Sequence, residues 1–301
     1  MATNPSLTAT GRRLLRKWVP GLATTDCSGR LSALEQRVAS LEHRTRHDLA
    51  AGLSTTIYGA GRPPRSITDA ELSIYSQNGE DGILLYLVSL TGGGGRRFLE
   101  IGIGDGRECC CANLALNWGW TGAMVEADPV SAKSAEQFYA DIAGVVVKQA
   151  FVTVENVNTI VAADHVDLLS IDIDGNDYWV WNALKASAGI VVAEYNASFG
   201  PEAAVTIPYD PSFMFREASS HRMYHGASVA ALAKLAAQKD MALVGCDSQG
   251  VNAFFVSRPL LSDRLREVSV TEAWRPNSRR LRKYSQATQE AMLAGHPVEH
   301  V

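Results

Sequence analysis

The chain has 301 residues, 46% of them hydrophobic and 8% aromatic, enough apolar material for one large or two small buried cores. Its 28 Lys plus Arg nearly balance 32 Asp plus Glu, so no global basic field draws nucleic acid to it. No stretch approaches the roughly 18 to 20 apolar residues of a membrane span, and the N-terminus lacks the apolar core of a secretory signal, so a soluble, cytoplasmic protein is expected.

The first segment, GRRLLRKWVPGL (11–22), is basic with apolar residues between, as in a solvated tail or a membrane-surface anchor. Next, Leu31, Leu34, Val38 and Leu41 alternate spacings of three and four, the rhythm of coiled-coil core positions. Two heptads are marginal alone. They form either an amphipathic helix on the protein's own surface or a short dimerising coil, and a homo-oligomer is expected from the second. GAGRPPRS (59–66) has the glycine and proline of a linker, and the compact domain should begin near Ile67. The expected organisation is therefore an extension over 1–65, a domain over 66–260 and a C-terminal helical extension over 261–301.

From there the segments alternate. AELSIYSQNGEDGILLYLVSL (70–90) has helical spacing at Ile83, Leu84, Leu87 and Leu90; RRFLEIGI is a buried strand and ECCCANLALNW a helix. TGAMVEAD, GVVVKQAFV, HVDLLSIDID and GIVVAEYN read as further strands, with helices over SAKSAEQFYADI, VENVNTIVAA and DYWVWNALKA between them. GASVAALAKLAAQKDM is a strong helix, followed by strands MALVGCDS and VNAFFVS. Apolar strands without polar alternation, separated by helices, imply a mostly parallel sheet covered on both faces. The last two strands are too close for a helical crossover and must form an antiparallel hairpin. The predicted fold is α/β: a doubly wound, Rossmann-like seven-stranded sheet closed by that hairpin. Five cysteines, three of them adjacent at Cys109, Cys110 and Cys111, suit neither a disulfide framework nor a CxxC metal pair. On a helix they point about 100° apart.

FLEIGIGDGREC (98–109) packs three glycines behind a strand and an acid. In an open parallel sheet the ligand sits beyond the carboxyl ends of the strands, where a glycine turn lets the backbone approach it. A dinucleotide site wants GxGxxG and receives a pyrophosphate. Here Glu100 precedes Gly102, Gly104 and Gly106, the third glycine comes one residue early, and a carboxylate would repel phosphate. The acid suits a ligand with an ammonium group instead. Glu126 ends the next strand, where a carboxylate can accept from both hydroxyls of a ribose. The ligand reads as a nucleoside with a cationic, amino-acid-like tail.

LEIGIGDG, VEAD after the second strand, an acidic fourth strand and the closing hairpin together resemble the class I S-adenosylmethionine-dependent methyltransferases, over residues 70 to 258. The resemblance implies that Gly102, Gly104 and Gly106 line the cofactor, that Glu100 faces its amino group directly or through water, and that Glu126 binds the ribose hydroxyls. Asp128 and Gln149 are implied as further ribose and adenine contacts. YSQNGEDGIL (75–84) and SIDIDGNDYWVW (170–181) are similar to FkbM-type and macrolide-sugar O-methyltransferases. That likeness implies Gln77, Glu80 or Asp81 over the methionine end; on the residues alone, GEDG is also a helix-start turn whose acids favour the dipole.

Methyl transfer to a hydroxyl needs a base, or a metal that acidifies the hydroxyl. Period two places Asp172 and Asp174 on one side of the fourth strand, with Asp177 in the turn beyond. Glu194 and Asn196 stand at the neighbouring strand end. Oxygen donors on one rim suit Mg²⁺, with Asp172, Glu194 and Asn196 as the expected ligands. Without a metal the base would be Asp172, Asp174 or a histidine, His225 before His221; one aspartate could also be an N-cap. The insertion ASFGPEAAVTIPYDPSFMF (197–215) offers Phe199, Tyr209, Phe213 and Phe215 as substrate walls. RRLRKYSQATQEAML (279–293) reads as a basic helix that covers the pocket or joins a dimer. The expected function is O-methylation of a saccharide, glycolipid or specialised metabolite, with a non-catalytic nucleotide-binding scaffold as the alternative.

Overall fold

The computed structural model describes residues 64, 66–92, 94–219 and 221–301. The readings of the basic tail and the coil-like segment lie outside the described residues. The principal elements are α1 (Glu80–Thr91), β1 (Arg97–Ile101), α2 (Ala112–Trp118), β2 (Thr121–Glu126), α3 (Pro129–Phe138), β3 (Val145–Gln149), β4 (His165–Ile171), α4 (Asp177–Ala183) and β5 (Ser187–Glu194). After the insertion come α5 (Val229–Gln238), β6 (Met241–Cys246), β7 (Asn252–Ser257) and α6 (Gln286–Leu293).

The seven strands form one sheet in the order β3-β2-β1-β4-β5-β7-β6. Strands β1 to β5 pair in parallel, and β7 runs antiparallel to both β5 and β6. The doubly wound sheet with its reversed terminal hairpin is thus present. Successive strand residues enter opposite cores. Phe98, Met124, Leu168, Ile190 and Phe254 pack on the face that also holds Leu84 and Leu114. Leu99, Val125, Leu169, Val191 and Phe255 pack on the other with Trp181 and Leu232. Strands β1, β4, β5, β6 and β7 are buried on both faces over most of their length, which is why they carry unbroken apolar runs.

Several helices are shorter than their sequence pattern. The cysteines precede α2 because the Glu100 carboxylate accepts the amides of Cys110 and Cys111 and holds that segment as a turn. Burial, then the charge of Glu100, pushes all three thiols up, away from reactive thiolate. VENVNTIVAA gives a single turn, Val157–Ile160, in a run rich in β-branched residues. The hairpin loop between β6 and β7 is organised by Asp247, whose carboxylate accepts the amides of Gln249 and Asn252.

The predicted basic helix over 279–293 is broken in two. A single turn, Ser278–Leu281, is capped by Asn277, and α6 starts afresh at its own N-cap Ser285. Residues 261–301 belong to the same compact unit as the sheet. Ser198 donates to Gln289 of α6 at 2.7 Å, and Glu299–His300 pairs antiparallel with Val205–Thr206 of the insertion. A small third core of Ile207, Met223, Tyr224 and Leu293 lies between the two segments. The C-terminal extension therefore covers the insertion. No helix among the described residues is long and apolar enough to cross a membrane.

Candidate active site

The chain leaves β1 toward β2 and β3, then returns to β4 on the other side of β1, so the carboxyl ends of β1 and β4 form the switch point. The loops that leave those ends touch. Asp172 donates its amide to Ile101 at 2.9 Å, and Gly102 donates to Val125 at 2.9 Å. Gly102 has φ +88, and a Cβ there would lie 1.6 Å from the Asp172 carbonyl oxygen, so only glycine lets the two loops meet. Gly104 has φ +55, and nothing lies within 4 Å of where its Cβ would be. Bare backbone there faces open space that a ligand can occupy.

Glu126 fixes that loop. Its Oε2 accepts the Gly104 amide at 2.7 Å and its Oε1 accepts the Asp128 amide at 2.8 Å. Asp128 is the N-cap of α3, accepting from Ser131 at 2.8 Å, a bond that holds its carboxyl below the usual range. Gln149 stands exposed at the end of β3 and donates to the Ala127 carbonyl at 3.1 Å. Tyr139 closes the loop from behind, donating to the Gly106 carbonyl at 2.6 Å.

Three acids expected to face the ligand are turned inward instead. Glu100 is 2% exposed, and each carboxylate oxygen accepts an amide from the turn before α2, at 2.7 and 2.8 Å. Glu80 accepts from the backbone and side chain of Asn78 and from Asn252. Asp81 draws the amides of Ile74, Tyr75 and Ser76 onto one oxygen at 2.6 to 2.8 Å, while burial raises its carboxyl to about 6. These carboxylates are engaged by the protein's own donors around the glycine loop. Of the segment before α1, Gln77 is the residue at the open rim, donating to Glu108 at 2.6 Å.

On the other side of the switch point, Asp172, Asp174 and Glu194 offer carboxylate oxygens that all lie within 4.8 Å of one another. Asp172 and Asp174 meet solvent, yet the cleft crowds them on the remaining sides. Burial, then the charges of Asp177 and Asp174, hold the Asp172 carboxyl well above the usual range. Burial and the charge of Asp172 do the same to Glu194. Like charges this close cannot all ionise without a proton or a cation among them. Asp177 stands behind the cluster, accepting the amides of Ile173 and Gly175 at 2.8 and 2.9 Å.

Asn196 is not part of this group. Its amide donates to the carbonyls of Met223 and His225 at 2.6 and 2.9 Å, and its oxygen accepts from Ser198 and Arg280. A buried amide with both ends engaged has nothing left for a metal. His225, 1% exposed, is likewise not placed as a general base. Its Nε2 lies 2.6 Å from the Arg280 Nη2, and a guanidinium only donates, so Nε2 accepts. Burial, then Arg280, drive its pKa down to about 3, so the ring is neutral with its proton on Nδ1. That nitrogen, which lacks a hydrogen-bond partner among the described residues, is 3.7 Å from the Glu194 Oε2. His221 lies apart, against His296 at 3.3 Å.

Sequence reasoning placed Arg279 and Arg280 only within the basic segment over 279–293. Arg280 reaches Asn196, Ser198 and His225 from the C-terminal extension, at 2.7, 2.9 and 2.6 Å. The insertion supplies the aromatic wall. Phe213 covers Gly175, Phe215 meets the His225 ring edge-on at 4.9 Å, and Tyr209 packs 6.4 Å from Trp179. Trp179 ties that wall down by donating to the Ile207 carbonyl at 2.8 Å.

No protein-family model and no curated protein matches the chain. Among solved structures it is similar to the N-terminal domain of EvdMO1 with SAH bound, at 12% identity and TM-score 0.40, over 60% of this chain and 80% of that one. It is also similar to an O-methyltransferase from Bacillus cereus in complex with SAH, at 14% identity and TM-score 0.38, over 74% and 95%. A sarcosine dimethylglycine methyltransferase homologue from Galdieria sulphuraria gives 16% and 0.38, over 54% and 60%.

Proposed function

We propose that the chain is an S-adenosylmethionine-dependent O-methyltransferase acting on a hydroxyl of a saccharide, a glycolipid or a specialised metabolite. One observation carries the reading: the open space against Gly104, bounded by Glu126, lies one strand from the cluster of Asp172, Asp174 and Glu194. A cradle for a phosphate-free nucleoside beside proton-accepting carboxylates is what transfer to a hydroxyl requires. Both oxygens of Glu126 keep a second lone pair for ribose hydroxyls. The third glycine comes one residue earlier than in the dinucleotide pattern GxGxxG, which disfavours a dinucleotide.

When bound, the cofactor supplies a methyl group on a sulfonium. The chain's contribution is a base that takes up the proton the acceptor hydroxyl loses. A carboxylate raised by burial is a stronger base than an ordinary one, and Asp172 and Glu194 are both raised. His225 stands beside Glu194, its Nδ1 3.7 Å from the Oε2, and Arg280 hydrogen-bonds the other ring nitrogen. The aromatic wall of Phe213 and Phe215 suits the face of a sugar or a planar ring.

The three carboxylates also fit a hard divalent ion such as Mg²⁺, with Asp172, Asp174 and Glu194 as its holders and Asn196 outside the set. Such an ion would acidify the acceptor hydroxyl.

Calorimetric titration with S-adenosylmethionine and with NAD tests the assignment. Heat with the first alone is expected. Heat with NAD alone would overturn it, and heat with neither would favour a non-catalytic scaffold. Radiolabelled methyl transfer into fractionated extracts, with and without chelator, then reads substrate class and metal need together.

A further inference from the structure

We infer that Arg279 is the counter-ion for the carboxylate of the methyl donor's amino-acid tail, an inference that rests on the reading of the glycine loop as the donor's cradle. Arg279 sits in the single turn Ser278–Leu281, far in sequence from that loop. Its Nη1 donates to Gln77 Oε1 at 2.9 Å and its Nη2 reaches Asn78 Oδ1 at 3.4 Å. Gln77 in turn donates to Glu108 at 2.6 Å, two residues past Gly106. The guanidinium is therefore joined through one side chain to the segment that follows the glycines.

Charge makes the case. Both partners of Arg279 are neutral amides. Among the described residues no acid lies within ion-pair distance of it, whereas Arg107, Arg258 and Arg266 each pair with one. The acids around it are already engaged: Glu80 by Asn78 and Asn252, Asp81 by three backbone amides, and Glu108 by Gln77. A guanidinium has five donors, so about three remain for a ligand. Its neighbour differs. Arg280 spreads its donors over Asn196, Ser198 and His225 and is half-buried, while Arg279 is exposed. One arginine of the pair is consumed by the protein; the other is exposed, with two neutral partners. A planar fork with free donors matches a carboxylate.

The same full chain, carrying Arg279→Gln, is titrated calorimetrically with S-adenosylmethionine and with its decarboxylated analogue, which keeps the sulfonium and the ammonium but has no carboxylate. The variant is expected to bind S-adenosylmethionine about ten- to a hundredfold more weakly, the scale of a lost charge-assisted hydrogen-bonded pair. Its affinity for the decarboxylated analogue should equal that of the unaltered chain. Arg279→Lys, which keeps the charge without the fork, should recover part of the loss. Equal weakening toward both ligands, or none toward either, would overturn the assignment. If the unaltered chain binds neither ligand, the donor reading itself falls, an outcome distinct from failure of the arginine alone.

Discussion

The two halves of the rim handle their carboxylates in opposite ways. On the side of β1 and β2, four acids are each held by donors even where burial raises them, as it does Glu100 and Asp81: Glu100 by two amides, Glu126 by two, Asp81 by three on one oxygen, Glu80 by Asn78 and Asn252. On the side of β4 and β5, no donor among the described residues hydrogen-bonds to the carboxylates of Asp172 or Glu194, and both are raised by burial and mutual repulsion. The first half is preorganised, so it can receive a ligand without rearranging. The second stores unfavourable charge that a proton, a cation or a reacting hydroxyl relieves. Rigidity and reactivity are thereby separated by one strand of the sheet.

The largest effects should come from the loop that joins the halves. Gly102→Ala forces a side chain into the Asp172 carbonyl at a left-handed φ, and should cost more than about 3 kcal/mol, read as a collapse of the thermal unfolding midpoint. Gly104→Ala meets no atom and should cost only the left-handed strain, roughly 1–2 kcal/mol. It nonetheless fills the space offered to the ligand, so cofactor affinity should fall steeply while the fold survives. If the two variants lose stability equally, the asymmetry between them is wrong.

Next in size is the charge stored on the second half. Asp172→Asn removes one like charge from the cluster, so the variant should unfold at a higher temperature than the parent while methyl transfer drops by about 10²- to 10⁴-fold. The same exchange at a satisfied acid, Glu100→Gln, should destabilise instead, because an amide nitrogen then opposes a backbone N–H. A matching sign at both positions would erase the contrast.

Acidity separates the groups further. An unfolded histidine takes up a proton near its ordinary pKa of 6.5, whereas His225 in the fold resists until about 3. Its contribution to stability is therefore complete above 6.5 and drains away as pH falls toward 3. Asp172 and Glu194 act in reverse: the folded state keeps their protons longer than the unfolded chain does, so the stability they contribute is present in acid and lost as pH rises through their raised values. His225→Gln, which still offers an oxygen to Arg280, should lose less of its midpoint between pH 7 and pH 5 than the parent. Asp172→Asn should flatten the fall in stability that begins as pH rises above the ordinary carboxylate range.

What the sequence could reveal of this arrangement follows from distance along the chain. The glycine loop, Glu126 and the pair Asp172 and Asp174 are legible because strand alternation and fixed offsets place them at strand ends. The direction an acid faces is not. Glu100 before the glycines reads the same whether it meets a ligand or caps the turn of Cys110 and Cys111. Asn196 was read as a ligand for want of any local sign that Met223 and His225 present carbonyls to it. Arg279 and Arg280 are legible only as part of a basic segment over the pocket, because their partners Gln77 and His225 lie 202 and 55 positions away and no spacing rule spans such gaps.

The smallest expected effect tests whether the aromatic wall belongs to the reactive half alone. Trp179 donates to Ile207 and so pins the insertion that carries Phe213 and Phe215 over the acid cluster. Trp179→Phe keeps the ring but leaves that carbonyl without its donor, at a cost of about 1 kcal/mol in stability. Freed of one tether, the wall should hold the acceptor less well, so the acceptor KM should rise severalfold. Cofactor affinity, set by residues on the far side of β4, should stay unchanged. A parallel loss of cofactor binding would mean that the two halves are mechanically coupled through the loop where Gly102 meets Asp172, and that the division of labour between them is narrower than their hydrogen bonding suggests.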